Sequence, residues 1–196
     1  MSTAEHAEVN RRDFLFIATG AVSAVGAALT AWPFISQMNP DASVLAMATV
    51  ELDLAPVAEG QAITIKWQGN PVFIRHRTPK EVDAAKAVKM EDLKDPIARN
   101  DNLTDANSEA TDANRVVGGK TGFLVMMGVC THLGCVPIGN DGDYAVVEGS
   151  QKTGGWLCPC HGSHYDTAGR IRKGPAPQNL EVPKYVYLTD TKIRIG

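Results

Sequence analysis

The sequence predicts a mainly β protein, with an antiparallel β-sandwich head, one inserted helix and a single N-terminal transmembrane helix. Two patterns lead to this prediction. After residue 50, short alternating or apolar segments recur between turns rich in glycine and proline, which is typical of antiparallel sheets. Before residue 50 lies one long uncharged segment. A chain of 196 residues suits one such head with an appendage.

The uncharged segment predicts a membrane anchor over residues 14–35. No charged residue lies between Asp13 and Asp41. As a helix, the 21 residues Phe14–Phe34 span about 31 Å, enough to cross the hydrocarbon core of a bilayer. The alternatives are a buried core helix, which would keep a polar face that this segment lacks, and a cleaved signal sequence. The length of the run and Trp32 near its far end favour a retained anchor.

The residues before the anchor predict its export and its orientation. The pair Arg11 and Arg12, followed by Asp13-Phe14-Leu15, resembles the twin-arginine export signal. The same two arginines place residues 1–13 in the cytoplasm by the positive-inside rule, so that everything after Pro40 lies on the other side. We therefore expect a single-pass protein of the bacterial inner membrane, with its head in the periplasm.

A flexible tether over residues 36–49 is predicted to join the anchor to the head. Small and polar residues predominate there, although Val44–Ala48 is also compatible with a short helical turn. The head then occupies residues 50–196. Its predicted strands are Ala62–Trp67, Pro71–Arg75, Gly122–Met127, Asp143–Val147, Gly155–Leu157, Tyr185–Leu188 and Lys192–Ile195. The first two form a hairpin around residues 68–70, and the last two form another around residues 189–191.

One helix is predicted inside the head. Thr78 is a suitable helix cap, Pro79 suits the first turn, and Glu81 lies three residues after the cap. The helix is expected to end near Val88. Residues 98–118 are polar and contain Thr-Asp-Ala-Asn twice, which predicts a surface loop.

Two short boxes hold all four cysteines of the chain and two of its five histidines. They read C-T-H-L-G-C at residues 130–135 and C-P-C-H-G-S at residues 158–163. Thiolates and imidazoles are metal ligands. A structural zinc site would use four of the six candidates, whereas a ferredoxin with four thiolates would leave both histidines unexplained. A mixed cluster held by one cysteine and one histidine from each box fits better.

Together the boxes, C-T-H-L-G-C and C-P-C-H-G-S-H-Y-D, resemble those of the Rieske iron–sulfur proteins. The anchor, the tether, the β head and the later Gly174-Pro175-Ala176-Pro177 make the chain most similar to the membrane-anchored Rieske subunits of cytochrome bc complexes. This resemblance implies one 2Fe–2S cluster per chain, with Cys130 and Cys158 on one iron and His132 and His161 on the other. Two thiolates and two neutral imidazoles leave the oxidised centre near neutral, so it accepts an electron more readily than a four-thiolate cluster does.

Further roles follow from the same resemblance. The surplus Cys135 and Cys160 are expected to form a disulfide, against the alternative of two free buried thiols, because an exported domain meets an oxidising compartment. The cluster-binding region covers about residues 125–178. Within it the resemblance implies that Ser163 and Tyr165 donate hydrogen bonds to cluster sulfurs. It also implies that His161 and Leu133 contact the quinol. The implied docking loop consists of Gly174, Pro175, Ala176 and Pro177.

The resemblance implies a high-potential electron carrier within a proton-translocating ubiquinol–cytochrome c reductase. The head is expected to take one electron from ubiquinol, coupled to proton release, and to pass it to a c-type cytochrome by moving. The implied partners are a cytochrome b subunit, a c-type cytochrome subunit, ubiquinol and the membrane, within a dimeric complex. A net charge of −3 argues against a nucleic-acid partner.

Three other classes of protein share parts of this pattern. Rieske subunits of other membrane or periplasmic oxidoreductases, such as arsenite oxidase or a plastoquinol-oxidising complex, share the boxes and often the disulfide. Soluble Rieske ferredoxins and the electron-transfer domains of ring-hydroxylating oxygenases generally lack the anchor and the surplus cysteines. A structural zinc protein remains the alternative from a different class.

Overall fold

A computed structural model of the chain describes residues 10–140 and 154–196. The chain divides into two compact units, Met1–Leu45 and Ala46–Gly196. The predicted strand Asp143–Val147 lies outside the described residues.

The first unit contains one long apolar helix, α1 (Arg11–Ser36). It begins earlier than the predicted residue 14, because Asn10 precedes it as a cap and the Asn10 backbone N–H donates to Asp13 Oδ2 at 3.2 Å. By length and composition α1 could cross a membrane, and none of its apolar window is buried. α1 therefore has the length and composition of the predicted membrane anchor. A short helix, α2 (Ala42–Ala46), follows it.

The second unit is built from three antiparallel sheets. The described strands are β1 (Val50–Asp53), β2 (Ala62–Trp67), β3 (Asn70–His76), β4 (Phe123–Met127), β5 (Ile138–Asn140), β6 (Gly155–Cys158), β7 (Ser163–Tyr165), β8 (Ile171–Lys173), β9 (Tyr185–Tyr187) and β10 (Lys192–Ile195). They pair in the orders β1-β10-β9, β2-β3-β4 and β5-β6-β7-β8. The predicted antiparallel β fold is confirmed, as are both predicted hairpins. Four described strands were not predicted from the sequence: β1, which pairs with β10, and β5, β7 and β8.

Two apolar cores support these sheets. Leu54, Val72, Ile74, Val125, Ile193 and their neighbours, which come from the first two sheets and the segments beside them, form one core. The other lies around the third sheet and includes Trp156, Tyr165, Ile171 and Leu180, together with Cys130 and Cys158. Both cysteine-containing boxes are thus attached to a packed core, which limits their freedom.

The inserted helix α3 (Pro79–Lys86) begins where the sequence predicts it. The Glu81 backbone N–H donates to Thr78 Oγ1, and the Thr78 N–H donates to Glu81 Oε2 at 2.8 Å, which completes a capping box. Glu81 also accepts a bond from Arg75 of β3, so the cap fixes the helix to the sheet. The helix ends at Lys86, slightly before the predicted Val88.

The predicted surface loop over residues 98–118 is mostly irregular and exposed at residues 104–107, but the prediction is wrong for its buried positions. The segment contains a short 3₁₀ turn, Ala113–Arg115, and the Arg115 side chain is completely buried. Its guanidinium donates to the backbone carbonyls of Ala98, Ala168 and Leu180. Burial lowers the pKa of Arg115 to about 10, which leaves it charged at neutral pH. Its partners are carbonyls from other parts of the chain, so the local sequence contains no sign of its burial.

Asp95 joins the segment after α3 to the cysteine-containing region. Its carboxylate accepts bonds from the Asn179 and Ile97 backbone N–H groups and from Arg99 Nε. The Asn179 amide returns a bond to the Asp95 carbonyl at 2.9 Å. Burial would raise the pKa of Asp95, but these hydrogen bonds and the charge of Arg99 outweigh it and leave the pKa below its usual value.

The low pKa of Asp95 predicts an acid-sensitive stability. A carboxylate whose folded-state pKa is depressed stabilises the fold above its unfolded-state pKa of about 3.9, and this contribution is lost as the pH falls through the lower folded-state value. We expect the unfolding temperature of the detergent-solubilised chain, followed by circular dichroism, to decrease when the pH is lowered below about 4. Asp95→Asn should lower the unfolding temperature at pH 7 and make its acid dependence shallower. The control Asp92→Asn, at an exposed position, should retain the steep dependence; the same steepness in Asp95→Asn would contradict the prediction.

Candidate metal centre

The two boxes form the same kind of turn at the ends of strands. The Gly134 N–H donates to the Cys130 carbonyl at 2.9 Å, and the Gly162 N–H donates to the Cys158 carbonyl at 3.0 Å. Both glycines have positive φ, +81° and +71°, a conformation that residues with a Cβ rarely adopt. Each box therefore folds its first five residues into one turn.

The four predicted ligands lie in these turns, as a pair of thiols and a pair of imidazoles. Cys130 and Cys158 are buried and free of disulfides. The rings of His132 and His161 lie with their centroids 4.7 Å apart and nearly perpendicular. Nδ1 of His132 is buried and has no hydrogen-bond partner among the described residues. A buried polar atom of this kind requires a partner, and a metal ion beside the two thiols would supply one.

The remaining two cysteines are joined to each other. Cys135 and Cys160 form a disulfide, with an S–S distance of 2.13 Å. The sulfurs of Cys135, Cys158 and Cys160 lie within 4.8 Å of one another, but a disulfide-bonded cysteine offers no thiolate. The donor set is therefore two thiols and two imidazoles, one of each from each box. This set fits a Rieske 2Fe–2S group, and by count alone it also fits zinc.

The charge on the buried thiols is controlled by their surroundings. Burial would raise the pKa of Cys130, but hydrogen bonds from the Tyr165 hydroxyl, the His132 backbone N–H, Cys158 and Ser163 lower it below its usual value. Burial raises the pKa of Cys158, and the neighbouring Cys130 raises it further. Two thiolates this close repel each other, so ionisation of both favours a bound cation.

Tyr165 and Ser163 lie where the resemblance places them, beside the thiols. The Tyr165 hydroxyl is 3.3 Å from Cys130 Sγ and also accepts the Thr131 N–H at 3.3 Å. Burial raises the pKa of Tyr165, which keeps the hydroxyl a donor. Ser163 is fully buried, and its Oγ accepts the Ala176 N–H at 3.1 Å. Both hydroxyls can therefore donate towards sulfur.

The predicted docking loop, Gly174-Pro175-Ala176-Pro177, lies against the second box. Gly174 has a φ of +97°, and a Cβ there would be 2.5 Å from the Gly162 carbonyl oxygen. Two residues that the sequence analysis did not single out hold this loop. Thr131 Oγ1 donates to the Gln178 carbonyl at 2.7 Å, and Lys94 Nζ donates to two carbonyls of the loop.

The surface beside the two histidines is apolar. Leu133 is 72% exposed, and Val136 and Ile138 are about half exposed. His161 is also exposed, whereas His132 is half-buried, so His161 is the more accessible of the two imidazoles. His164 is half-buried on β7.

Comparisons with known proteins match both parts of the chain. A family model described as "Ubiquitinol-cytochrome C reductase Fe-S subunit TAT signal" matches residues 1–41, which include Arg11 and Arg12, and one described as "Rieske [2Fe-2S] domain" matches residues 94–185. The ubiquinol–cytochrome c reductase iron–sulfur subunit of Bradyrhizobium diazoefficiens is 51% identical, with all of both chains covered. The subunit of the same name from Blastochloris viridis is 49% identical over all of this chain and 98% of that protein.

Proposed function

Because the chain belongs to the family of ubiquinol–cytochrome c reductase iron–sulfur subunits, electron carriers with a Rieske 2Fe–2S group, we propose how its own residues perform that function. Cys130 and Cys158 hold one iron, and His132 and His161 hold the other. The observations that support this assignment are two free thiols, one from each box, and two neighbouring imidazoles, one of which has a buried nitrogen with no hydrogen-bond partner among the described residues. When bound, the 2Fe–2S group supplies a one-electron acceptor with a potential of roughly −150 to +300 mV.

His161 is the residue that meets the quinol. Its imidazole is exposed at an apolar surface, where Leu133 contributes contact with the quinol ring. A neutral imidazole that binds metal through one nitrogen offers the other as a hydrogen-bond acceptor. His161 therefore accepts a hydrogen bond from the hydroxyl of ubiquinol, and takes the proton as the quinol gives up one electron. Proton and electron leave the quinol together, which avoids a charged quinol in the apolar site.

The surrounding residues tune and shield this centre. Tyr165 donates to the sulfur of Cys130, and Ser163 donates to a cluster sulfur; both bonds favour the extra negative charge of the reduced state. The disulfide Cys135–Cys160 holds the two boxes together. The loop from Gly174 to Pro177 covers the second box and forms part of the docking surface.

The order of the segments along the chain indicates how the electron travels. We propose that residues 1–13 lie in the cytoplasm of a bacterial cell, 14–35 span the inner membrane, 36–49 form the tether, and 50–196 form the periplasmic head. The head takes its electron from ubiquinol at the cytochrome b subunit and delivers it to the c-type cytochrome subunit by moving on the tether, within a dimeric complex. Arg11 and Arg12 direct export.

Stiffening the tether should slow turnover without altering the centre. Leu45 lies in the short helix α2, inside the tether, and a proline there fixes one backbone dihedral of this segment. We expect prolines introduced across Val44–Ala48, such as Leu45→Pro, to reduce quinol–cytochrome c turnover at least about threefold by restricting the backbone. Leu45→Ala is the matched control. Turnover in the proline variants equal to that of Leu45→Ala would argue against head movement, and an unchanged electron paramagnetic resonance (EPR) spectrum shows that the centre is intact.

The proposed function is tested by redox-titrated EPR of membranes containing the chain, with and without a quinol-site inhibitor. A Rieske signal that titrates in the high-potential range and changes with the inhibitor is the expected result. Zinc instead of iron in the purified chain would overturn the assignment of the cluster. Purification without b- and c-type haems would assign the chain to a different oxidoreductase.

A further inference from the structure

Lys94 belongs to neither box, yet it is bonded to the loop that covers the second box. Its Nζ donates to the Gly174 carbonyl at 2.9 Å and to the Ala176 carbonyl at 2.8 Å. Hydrogen bonds from an ammonium group are stronger than those between neutral groups. One exposed lysine thus holds two carbonyls, two residues apart, in a single loop.

This loop is packed directly on the second box. A Cβ at Gly174 would lie 2.5 Å from the Gly162 carbonyl oxygen and 2.6 Å from Ser163 Cα, so the two backbones are in contact. Ala176, a residue of this loop, is fully buried. A displacement of residues 174–176 therefore also displaces Ser163.

The contact with Ser163 is also directional. The Ala176 N–H donates to Ser163 Oγ at 3.1 Å. A serine hydroxyl has one proton to donate and accepts through its lone pairs, so an N–H on one side leaves the proton free to point elsewhere. In the proposed function, Ser163 donates that proton to a sulfur of the metal centre. The Ala176 N–H thereby helps set the orientation in which Ser163 donates.

We propose that Lys94 is a positioning residue, which holds residues 174–176 so that Ser163 donates its hydrogen bond to the metal centre, and which thereby raises the reduction potential of that centre. The proposal rests on the proposed function. A donor to sulfur stabilises the added electron, and a donor that is free to turn stabilises it less.

The loop should survive loss of the lysine. Thr131 Oγ1 still donates to the Gln178 carbonyl, and Gly174 still packs on Gly162. Lys94 is exposed and Gly174 is half-buried, so water can bind the Gly174 carbonyl after the lysine is removed, whereas Ala176 is fully buried and its carbonyl loses a partner. The expected change is therefore a looser Ala176–Ser163 bond within a folded head.

The experiment measures the midpoint potential of the full chain in its membrane complex by EPR titration. In Lys94→Met, we expect the reduced-to-oxidised ratio at a fixed ambient potential to fall about three- to tenfold, where tenfold corresponds to 59 mV for one electron. Lys94→Arg, which keeps a cation with several donors, should restore much of the potential. Lys89→Met is the matched control: this nearby lysine is exposed and pairs only weakly with the exposed Glu91, at 3.5 Å. Its potential should equal that of the parent.

A double-mutant cycle separates positioning from the simple loss of a positive charge. If Lys94 acts through Ser163, Lys94→Met should lower the potential of the parent and leave that of Ser163→Ala unchanged. An equal fall in both backgrounds would mean that the lysine charge acts directly, which overturns the proposal, as would no fall in Lys94→Met. Amide hydrogen exchange adds an independent readout, since exchange at Ala176 should be faster in Lys94→Met. Loss of the Rieske signal from the parent itself would instead refute the proposed function.

Discussion

Replacing His161 by glutamine is expected to remove the 2Fe–2S group and abolish quinol–cytochrome c turnover. Glutamine keeps the approximate size and polarity of the side chain but replaces the imidazole ligand. Loss of residues that only support a ligand costs about 10–100-fold in metal affinity or activity, so loss of a ligand should cost more than about a hundredfold. Iron content, visible absorption and EPR of the purified chain measure the centre, and turnover is measured on the membrane complex.

His164→Gln is the matched control for this substitution. His164 lies three residues later, on β7, and the proposed centre does not use it. The control should keep both the Rieske spectrum and turnover. A normal Rieske spectrum in His161→Gln would show that His161 is not a ligand, and loss of the spectrum in both variants would show that this strand tolerates no change.

Replacing Arg77 by methionine should cause a large loss of stability. The Arg77 guanidinium bonds both carboxylate oxygens of Asp112 and also the Thr121 carbonyl, and both side chains of the ion pair are almost fully buried. Methionine leaves Asp112 as an unpaired buried charge. Breaking a buried pair in this way costs about 3–5 kcal/mol. Urea unfolding of the detergent-solubilised chain, followed by circular dichroism, measures the free energy of unfolding.

Two further variants define the cause of that loss. Lys89→Met breaks an ion pair whose side chains are more than 70% exposed, and it should cost less than about 1 kcal/mol. The double variant Arg77→Met with Asp112→Leu removes both charges and should recover part of the lost stability, since no charge is then left unpaired. A double variant as unstable as Arg77→Met would assign the loss to packing and to the carbonyl bonds of Arg77.

Arg77, Arg115, Arg170 and Asp95 are buried, and their polar contacts join distant segments of the head. Arg170 donates to Asp166 and to the carbonyls of Ala110 and Ala85. Arg115 donates to three carbonyls from separate segments. These bonds join residues 95–115 to residues 166–180, and the latter segment contains β8 and the docking loop. The disulfide between the boxes adds roughly 3–4 kcal/mol in the chain-entropy account, for the 25 residues that separate its cysteines.

Local patterns predicted a large part of this fold correctly. β2 has the predicted bounds, and Thr78 and Glu81 form the predicted capping box. Such features depend on neighbours in sequence, namely alternation, turn residues and a cap three residues from its partner. The extent of α1 was underestimated at its start, because the cap at Asn10 precedes the apolar run.

The sequence by itself determined the candidate ligands and the apolar segment near the N-terminus, because metal sites and membrane spans each restrict residue type at a short spacing. Only the tertiary structure decided which polar residues are buried and what they hold. Arg115 lies inside a segment that was predicted to be a surface loop, and Lys94 holds a loop 80 residues away in sequence. Both bond to backbone carbonyls. Every residue has a carbonyl, so such partners place no restriction on sequence, and only the packed chain shows which carbonyls are within reach.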